Sequence, residues 1–159
     1  MVGGVRIIEG DLQAGDLRIA VVASRFNPMV VDRLVQGALA TLASHGADPA
    51  RVSLVRVPGA FDLPPVVRRI AAAQGCDAIV ALGAVIRGET AHFDYVAAEC
   101  AAGLARVASE SGVPVAFGVL TTDTVEQALE RAGGSEGNKG SDAASAAIEL
   151  ASLMRKLRG

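Results

Sequence analysis

His92 is the residue of this chain best suited to proton transfer. It lies in the string R-G-E-T-A-H-F, and histidine is the side chain whose ordinary pKa lies closest to neutral pH. If a helix begins near it, the helix dipole disfavours the imidazolium form and keeps a neutral base available. A lone histidine is more often structural, and His45 is expected to be so because it lies in a last helical turn before Gly46.

Three of the four phenylalanines stand where they could contact a planar ligand. Phe26 lies in S-R-F-N-P, Phe61 in P-G-A-F-D-L-P, and Phe117 in V-A-F-G. Offset stacking of an aromatic ring contributes about 0.5–1.5 kcal/mol beyond the burial of its area. The alternative is that these rings are core residues at the ends of strands. Because aromatics make up only 3% of the chain, their grouping in such strings favours a binding role.

Small and polar residues beside these rings could bind the rest of a ligand. Gly59 would allow close approach of the backbone, and the flanking Ala60 would present its own main-chain groups. The carboxylate of Asp62 could accept hydrogen bonds from ligand hydroxyls, or it could favour the beginning of a helix. Asn27 could support the loop around Phe26, although Asn before Pro28 is also ordinary turn chemistry.

Four short apolar runs must position these strings. They are predicted strands over Arg18–Ala23, Arg51–Val57, Asp77–Ala84 and Val115–Thr121. Each run is followed by a helical pattern, which predicts a parallel sheet with helices on both faces. In such sheets ligands bind beyond the carboxyl ends of the strands, and the unusual strings lie there. The fold class is therefore α/β, a three-layer sandwich around a parallel four-stranded sheet.

The helices are predicted from apolar spacing and end signals. Val31, Leu34, Val35, Ala38 and Leu42 mark the first, and Pro64 and Pro65 open the second, which runs to about Gln74. Val96, Cys100, Leu104 and Val107 mark a long third helix, with Gly88, Glu89 and Thr90 at its beginning. Asp123 is the predicted cap of a short helix to Arg131. After the loop A-G-G-S-E-G-N-K-G, a last helix is expected to carry Ala147, Leu150, Met154 and Leu157 on one face.

Bulk properties limit the classes of protein. A length of 159 residues fits one domain over 1–159, with residues 1–17 as an arm that could pair as an edge strand in this subunit or in a neighbour. The hydrophobic content of 51% and mean hydropathy of +0.39 favour an oligomer. A net charge of −2 shows no excess of basic residues of the kind that binds nucleic acid, and no apolar run is long enough to cross a membrane.

The expected location is the cytoplasm. The chain begins without the basic and apolar regions of a secretory signal. Cys76 and Cys100 are far apart and form no C-x-x-C pair, so free thiols in a reducing compartment are expected rather than a disulfide.

The strings together resemble one family, the lumazine synthases. The resemblance is carried by R-F-N, V-P-G-A-F-D-L-P, G-A-V-I-R-G-E-T-A-H-F-D-Y-V, F-G-V-L-T-T-D-T-V-E-Q-A-L-E-R-A-G and G-N-K-G, in order from about Ile7 to the C-terminus. It implies a flavodoxin-like fold and a transferase without metal or redox cofactor. Such an enzyme joins 5-amino-6-(D-ribitylamino)uracil to 3,4-dihydroxy-2-butanone 4-phosphate, giving 6,7-dimethyl-8-ribityllumazine, phosphate and water.

The resemblance also implies roles in binding the pyrimidine substrate. Phe26 would stack on the ring, and the backbone of Ala84, Val85 and Ile86 would read its edge. Asp62, where many members have Glu, would bind the ribityl hydroxyls. Phe117 would close the pocket from a neighbouring subunit.

The remaining roles concern protons and phosphate. His92 would move protons, while the backbone amides of Glu89 and Thr90 at a helix beginning would bind the phosphate. The Glu89 side chain is expected to point away, because a carboxylate beside a phosphate is unfavourable. Arg131 would bind the phosphate through the paired N–H donors of its guanidinium. Lys139 would add positive charge nearby, and Asp142 would orient Arg131. Alternatively, Arg131 only complements a helix C-terminus.

Members of the family form pentamers, decamers or icosahedral shells. The short connection G-G-S-E-G-N-K-G resembles shell-forming members, so we expect a homopentamer and a shell of sixty subunits, with riboflavin synthase as a partner inside. The alternative function is a flavin-binding or structural shell protein without catalysis. A response-regulator receiver would need an acidic cluster after the first strand and a flavodoxin a Ser/Thr-rich loop, but S-R-F-N stands there.

Overall fold

A parallel sheet of four strands forms the centre of the molecule. The computed structural model describes residues 2–158. The strands are β1 (Ile19–Ser24), β2 (Val52–Val57), β3 (Ala78–Ile86) and β4 (Val115–Thr122), in the order β2-β1-β3-β4. All pairs are parallel, so all four carboxyl ends lie at one edge. The four predicted strands are therefore confirmed, with bounds shifted by one or two residues.

Helices cover both faces of this sheet. They are α1 (Pro28–Ser44), α2 (Leu63–Ala72), α3 (His92–Ser111), α4 (Val125–Glu130) and α5 (Lys139–Arg158). One apolar cluster packs β1 and β3 against α1 and α5, and a second packs the opposite face against α2 and α3. The predicted α/β three-layer sandwich of flavodoxin-like architecture is confirmed. No helix among residues 2–158 has the length and apolarity needed to cross a membrane.

The strand patterns follow from position in the sheet. Every residue of the central β1 is buried, as are the first eight of the nine residues of β3, which explains their nearly continuous apolar sequences. The edge strand β2 is largely exposed, including Leu54 at 41%. In β4, Phe117 is 40% exposed between buried neighbours.

Three predicted helix ends were wrong. Helix α2 ends at Ala72 rather than Gln74, because Gln74 adopts a left-handed φ of 56°. Helix α3 begins at His92, so the residues 88–90 precede it rather than open it. The cap of α4 is Thr124, whose side chain accepts a hydrogen bond from the Gln127 N–H at 3.1 Å. The Asp123 side chain does not cap α4, because it forms an ion pair with Arg87.

The buried face of α5 also differs from the prediction. Ala147 is buried, but Leu150 is 41% and Leu157 59% exposed. The buried stripe consists of small residues and one isoleucine, namely Gly140, Ala143, Ala144, Ala147, Ile148, Ala151 and Ser152. A Cβ at Gly140 would overlap the Leu34 carbonyl of α1, so the two helices are too close for leucine between them.

Two segments outside the main sheet adopt definite structure. The glycine-rich loop before α5 forms a short antiparallel hairpin of β5 (Ala132–Gly134) and β6 (Gly137–Asn138). In the arm, Leu17 is buried, and the N–H of Asp11 donates to Ser152 Oγ of α5 at 2.7 Å. Among residues 2–17 nothing pairs with the subunit's own main sheet, and the first part is exposed. Of the two predicted pairings of the arm, the one within this subunit is therefore not formed, and the one with a neighbouring subunit stays a prediction.

Candidate active site

A cavity of about 590 Å³ opens beyond the carboxyl ends of β1, β2 and β3. Its volume lies in the range of pockets that bury small organic ligands. Ten predicted site residues line it, namely Phe26, Asn27, Gly59, Ala60, Phe61, Ala84, Val85, Ile86, Thr90 and His92. The structure thus brings together residues from three strand ends that are far apart in the sequence.

Main-chain hydrogen bonds hold the first two walls together. Beyond the last residue pair of β1 and β2, the Arg25 N–H donates to the Val57 carbonyl at 2.8 Å. The Phe26 N–H then donates to the Pro58 carbonyl at 3.1 Å. The strand pairing is therefore extended past the strands, which fixes the aromatic residue beside the loop after β2.

Asn27 joins the first wall to the third. It adopts φ 61° and ψ 56°, a left-handed conformation that asparagine tolerates better than most residues. Its Nδ2 donates to the Ala84 carbonyl at 3.0 Å, beyond the point where β1 stops pairing with β3. Asn27 therefore supports the cavity wall as well as the turn into α1.

The cavity wall is mainly apolar, with aromatic side chains at its mouth. Phe26 is 69% and Phe61 60% exposed, so both rings present open faces. Among the described lining residues there is no carboxylate and no lysine or arginine, and His92 is the one histidine. This surface can hold a planar ring by stacking, but it cannot neutralise a phosphate by itself.

His92 is the first residue of α3 and is exposed at the cavity. Its N–H lies 3.4 Å from Thr90 Oγ1, a bond that orients the turn leading into the helix. Thr90 and Gly88 line the cavity, whereas Glu89 does not.

Asp62 does not line the cavity. Its Oδ2 accepts a hydrogen bond from the Gly59 N–H at 2.9 Å, across the short 3₁₀ turn Ala60–Asp62. In this conformation the carboxylate shapes the loop that carries the lining residues. Contact with a ribityl chain stays a prediction.

Arg131, Lys139 and Phe117 lie outside the cavity. The Lys139 N–H donates to the Arg131 carbonyl at 2.8 Å, which places the two cationic residues side by side. The Arg131 Nη1 donates to the Gln127 carbonyl at 3.0 Å and lies 3.5 Å from Glu130 Oε2. The predicted pair between Arg131 and Asp142 is not formed among the described residues, because Glu130 is the carboxylate within reach.

Sequence reasoning missed Phe93, Tyr95 and Val96, which also line the cavity, and assigned no binding role to Gly88. All but the glycine lie in the first turns of α3. Placing the helix beginning at His92 would have found Tyr95 and Val96, since positions one, four and five of a helix share a face. Phe93 is position two, so this spacing does not predict its place at the cavity. Among residues 2–158 no group of three or more His, Cys, Asp or Glu side chains could hold a metal ion.

Comparison with known proteins agrees with this geometry. A sequence model of the family described as 6,7-dimethyl-8-ribityllumazine synthase matches residues 16–155. A protein of Halorhodospira halophila named 6,7-dimethyl-8-ribityllumazine synthase is 54% identical over 154 residues, which are 96% of this chain and 99% of that relative. The chain therefore belongs to the 6,7-dimethyl-8-ribityllumazine synthase family.

Proposed function

We propose that this protein is a transferase of riboflavin biosynthesis. It condenses 5-amino-6-(D-ribitylamino)uracil with 3,4-dihydroxy-2-butanone 4-phosphate and releases 6,7-dimethyl-8-ribityllumazine, phosphate and water. The observation that carries this proposal is the apolar, aromatic-rimmed cavity with His92 at its edge, in a chain of this family. The reaction forms an imine between amine and ketone, loses phosphate and closes a ring, so it mainly requires orientation and proton transfer.

The pyrimidine ring binds between the strand ends. Phe26 offers its open face for stacking, and the backbone of Ala84, Val85 and Ile86 reads the ring edge. Gly59, Ala60 and Phe61 form the opposite wall. The ribityl chain runs toward Asp62, and Asn27 holds the wall through its bond to Ala84.

The phosphate requires cations that the cavity does not contain. The N–H groups of Glu89 and Thr90 donate to it, and Arg131 with Lys139 supply positive charge. Because both cationic residues lie outside the cavity of their own chain, they act in the cavity of a neighbouring subunit. Phe117, which is 40% exposed on β4, closes that site in the same way.

His92 transfers protons during imine formation and ring closure. It lies at the beginning of α3, and an imidazole can accept and donate protons as a general base and acid. The side chain is exposed at the cavity, so substrate atoms can reach it.

The assembly is a homopentamer, with sixty subunits forming a shell that can hold riboflavin synthase. The exposed beginning of the arm, with Val5 and Ile7, adds to the free edge of β2 in a neighbour. The free Cys76 and Cys100 fit a reducing cytoplasm.

An absorbance assay with both substrates tests the proposal. The wild type is compared with His92→Ala, Arg131→Ala and the control His45→Gln, which changes a histidine at the end of α1. We expect about 10²-fold slower turnover for His92→Ala and a raised KM for the phosphate substrate in Arg131→Ala. If His92→Ala is as fast as wild type, the assignment as a base fails. If assembled wild type makes no lumazine, the catalytic proposal fails, and riboflavin titration then tests a flavin-binding shell.

A further inference from the structure

Arg87 joins two elements at the edge of the cavity without lining it. It directly follows β3, and its Nε donates to Asp123 Oδ1 at 2.9 Å. Its Nη1 lies 3.6 Å from Asp94 Oδ1, and its guanidinium carbon lies 4.5 Å from the centroid of the Phe93 ring. Asp123 follows β4, whereas Phe93 and Asp94 belong to the first turn of α3. One side chain therefore bridges β4 and α3.

The main chain at Arg87 is itself fixed to the sheet. Its N–H donates to the Thr122 carbonyl at 2.9 Å, which continues the pairing of β3 with β4 by one residue. The side chain therefore extends from a rigid position across the beginning of α3. A planar guanidinium can hold two carboxylates in fixed directions, whereas a lysine ammonium lacks this fork.

The other hydrogen bonds of this helix turn are local. His92 donates its N–H to Thr90, and Asp94 donates its N–H to the Ala91 carbonyl. Among the polar contacts of the described residues, Arg87 is thus the one that ties this turn to β4. We infer that Arg87 is a positioning residue, which holds His92 and Phe93 in place through Asp94, Asp123 and its stacking on Phe93.

Direct phosphate binding by Arg87 is the rival role. The charges oppose it, because the guanidinium already faces the two carboxylates of Asp94 and Asp123, leaving a local charge of −1. A phosphate would have to displace both. The proposed role rests on the condensation reaction proposed above, in which a displacement of His92 by about 1 Å can lower the rate by up to about 10²-fold.

The test compares Arg87→Gln, Arg87→Lys and Asp123→Asn with a matched control, Arg68→Gln. Arg68 pairs with Glu110 at 2.8 Å, and this exposed ion pair also ends on α3, but at its far end. We expect Arg87→Gln to lower kcat about fivefold to tenfold, with KM for both substrates within about twofold. Arg87→Lys should not restore kcat, and Arg87→Gln combined with Asp123→Asn should be no slower than Arg87→Gln alone.

A second readout does not depend on activity. The chain has no Trp and a single Tyr, so intrinsic fluorescence comes from Tyr95 in the first turn of α3. Its anisotropy decay should gain a fast component in Arg87→Gln and Asp123→Asn, and stay unchanged in Arg68→Gln. If Arg87→Gln does not assemble, Asp123→Asn gives the same test, since its carboxylate pairs with Arg87.

Two results would overturn the inference while the wild type still makes lumazine. The first is a raised KM for the phosphate substrate in Arg87→Gln that Arg87→Lys restores, which would make Arg87 a phosphate ligand. The second is that Arg87→Gln has the same kcat, the same KM values and the same Tyr95 anisotropy decay as Arg68→Gln. An inactive wild type would instead contradict the proposed reaction.

Discussion

Asn27 makes two separable contributions to the cavity, and two substitutions distinguish them. It adopts a left-handed conformation with φ 61°, and its Nδ2 donates to the Ala84 carbonyl at 3.0 Å. Asn27→Gly keeps the backbone conformation and loses the hydrogen bond, which costs about 0.5–1.5 kcal/mol. Asn27→Ala loses the same bond and adds about 1–2 kcal/mol of left-handed strain. The expected order of stability is wild type, then Gly, then Ala.

Urea unfolding at a fixed protein concentration measures this order, because an oligomer's stability depends on concentration. The rate of lumazine formation should fall in the same order, since the strand that carries Ala84 forms the proposed pyrimidine wall. If Asn27→Ala is as stable as Asn27→Gly, the left-handed conformation contributes nothing. If both variants are as stable and as active as the wild type, the hydrogen bond to Ala84 contributes nothing and the reasoning is wrong.

Three further predictions concern packing, a thiol and the ring platform. Gly37→Ala should lower the free energy of unfolding by about 1–2 kcal/mol, because the added Cβ would lie 2.5 Å from Asn138 Cγ. The control Gly75→Ala, which has open space around the added Cβ, should change the free energy of unfolding by under about 0.5 kcal/mol. Burial raises the pKa of Cys100 to about 11, so its thiolate is scarce at pH 8, and alkylation followed by mass spectrometry should be far slower than for free cysteine; modification at the free rate would contradict this. Phe26→Leu should raise KM for the pyrimidine substrate about threefold to tenfold, and an unchanged KM would exclude stacking.

The sheet and much of the cavity could be predicted because their signals are local. Apolar runs marked the four strands, and unusual strings directly after three of them supplied most lining residues. The beginning of α3 was less predictable, because its cap, Ala91, makes no side-chain hydrogen bond and gives no capping signal. Tyr95 was missed for that reason.

Long-range packing set the features that the sequence did not reveal. The small-residue face of α5 depends on how closely α1 approaches, which the spacing of Leu150 and Leu157 does not show. The partners of Arg87 include Asp123, 36 positions away, on the far side of a helix and a strand. Arg131 pairs with its neighbour Glu130 in this structure, and its role in another subunit's cavity stays a prediction.

The central claim is that each active site combines the cavity of one chain with the cations of the next. Mixed oligomers of His92→Ala and Arg131→Ala chains test it most directly. A site formed by the cavity of an Arg131→Ala chain and the cations of a His92→Ala chain carries both wild-type residues. The rate is measured at a phosphate-substrate concentration near the wild-type KM and well below the KM of Arg131→Ala, where both parents are slow. Random mixing in equal amounts should then restore about a quarter of the wild-type rate. A rate no higher than the average of the parents would contradict a site shared between subunits.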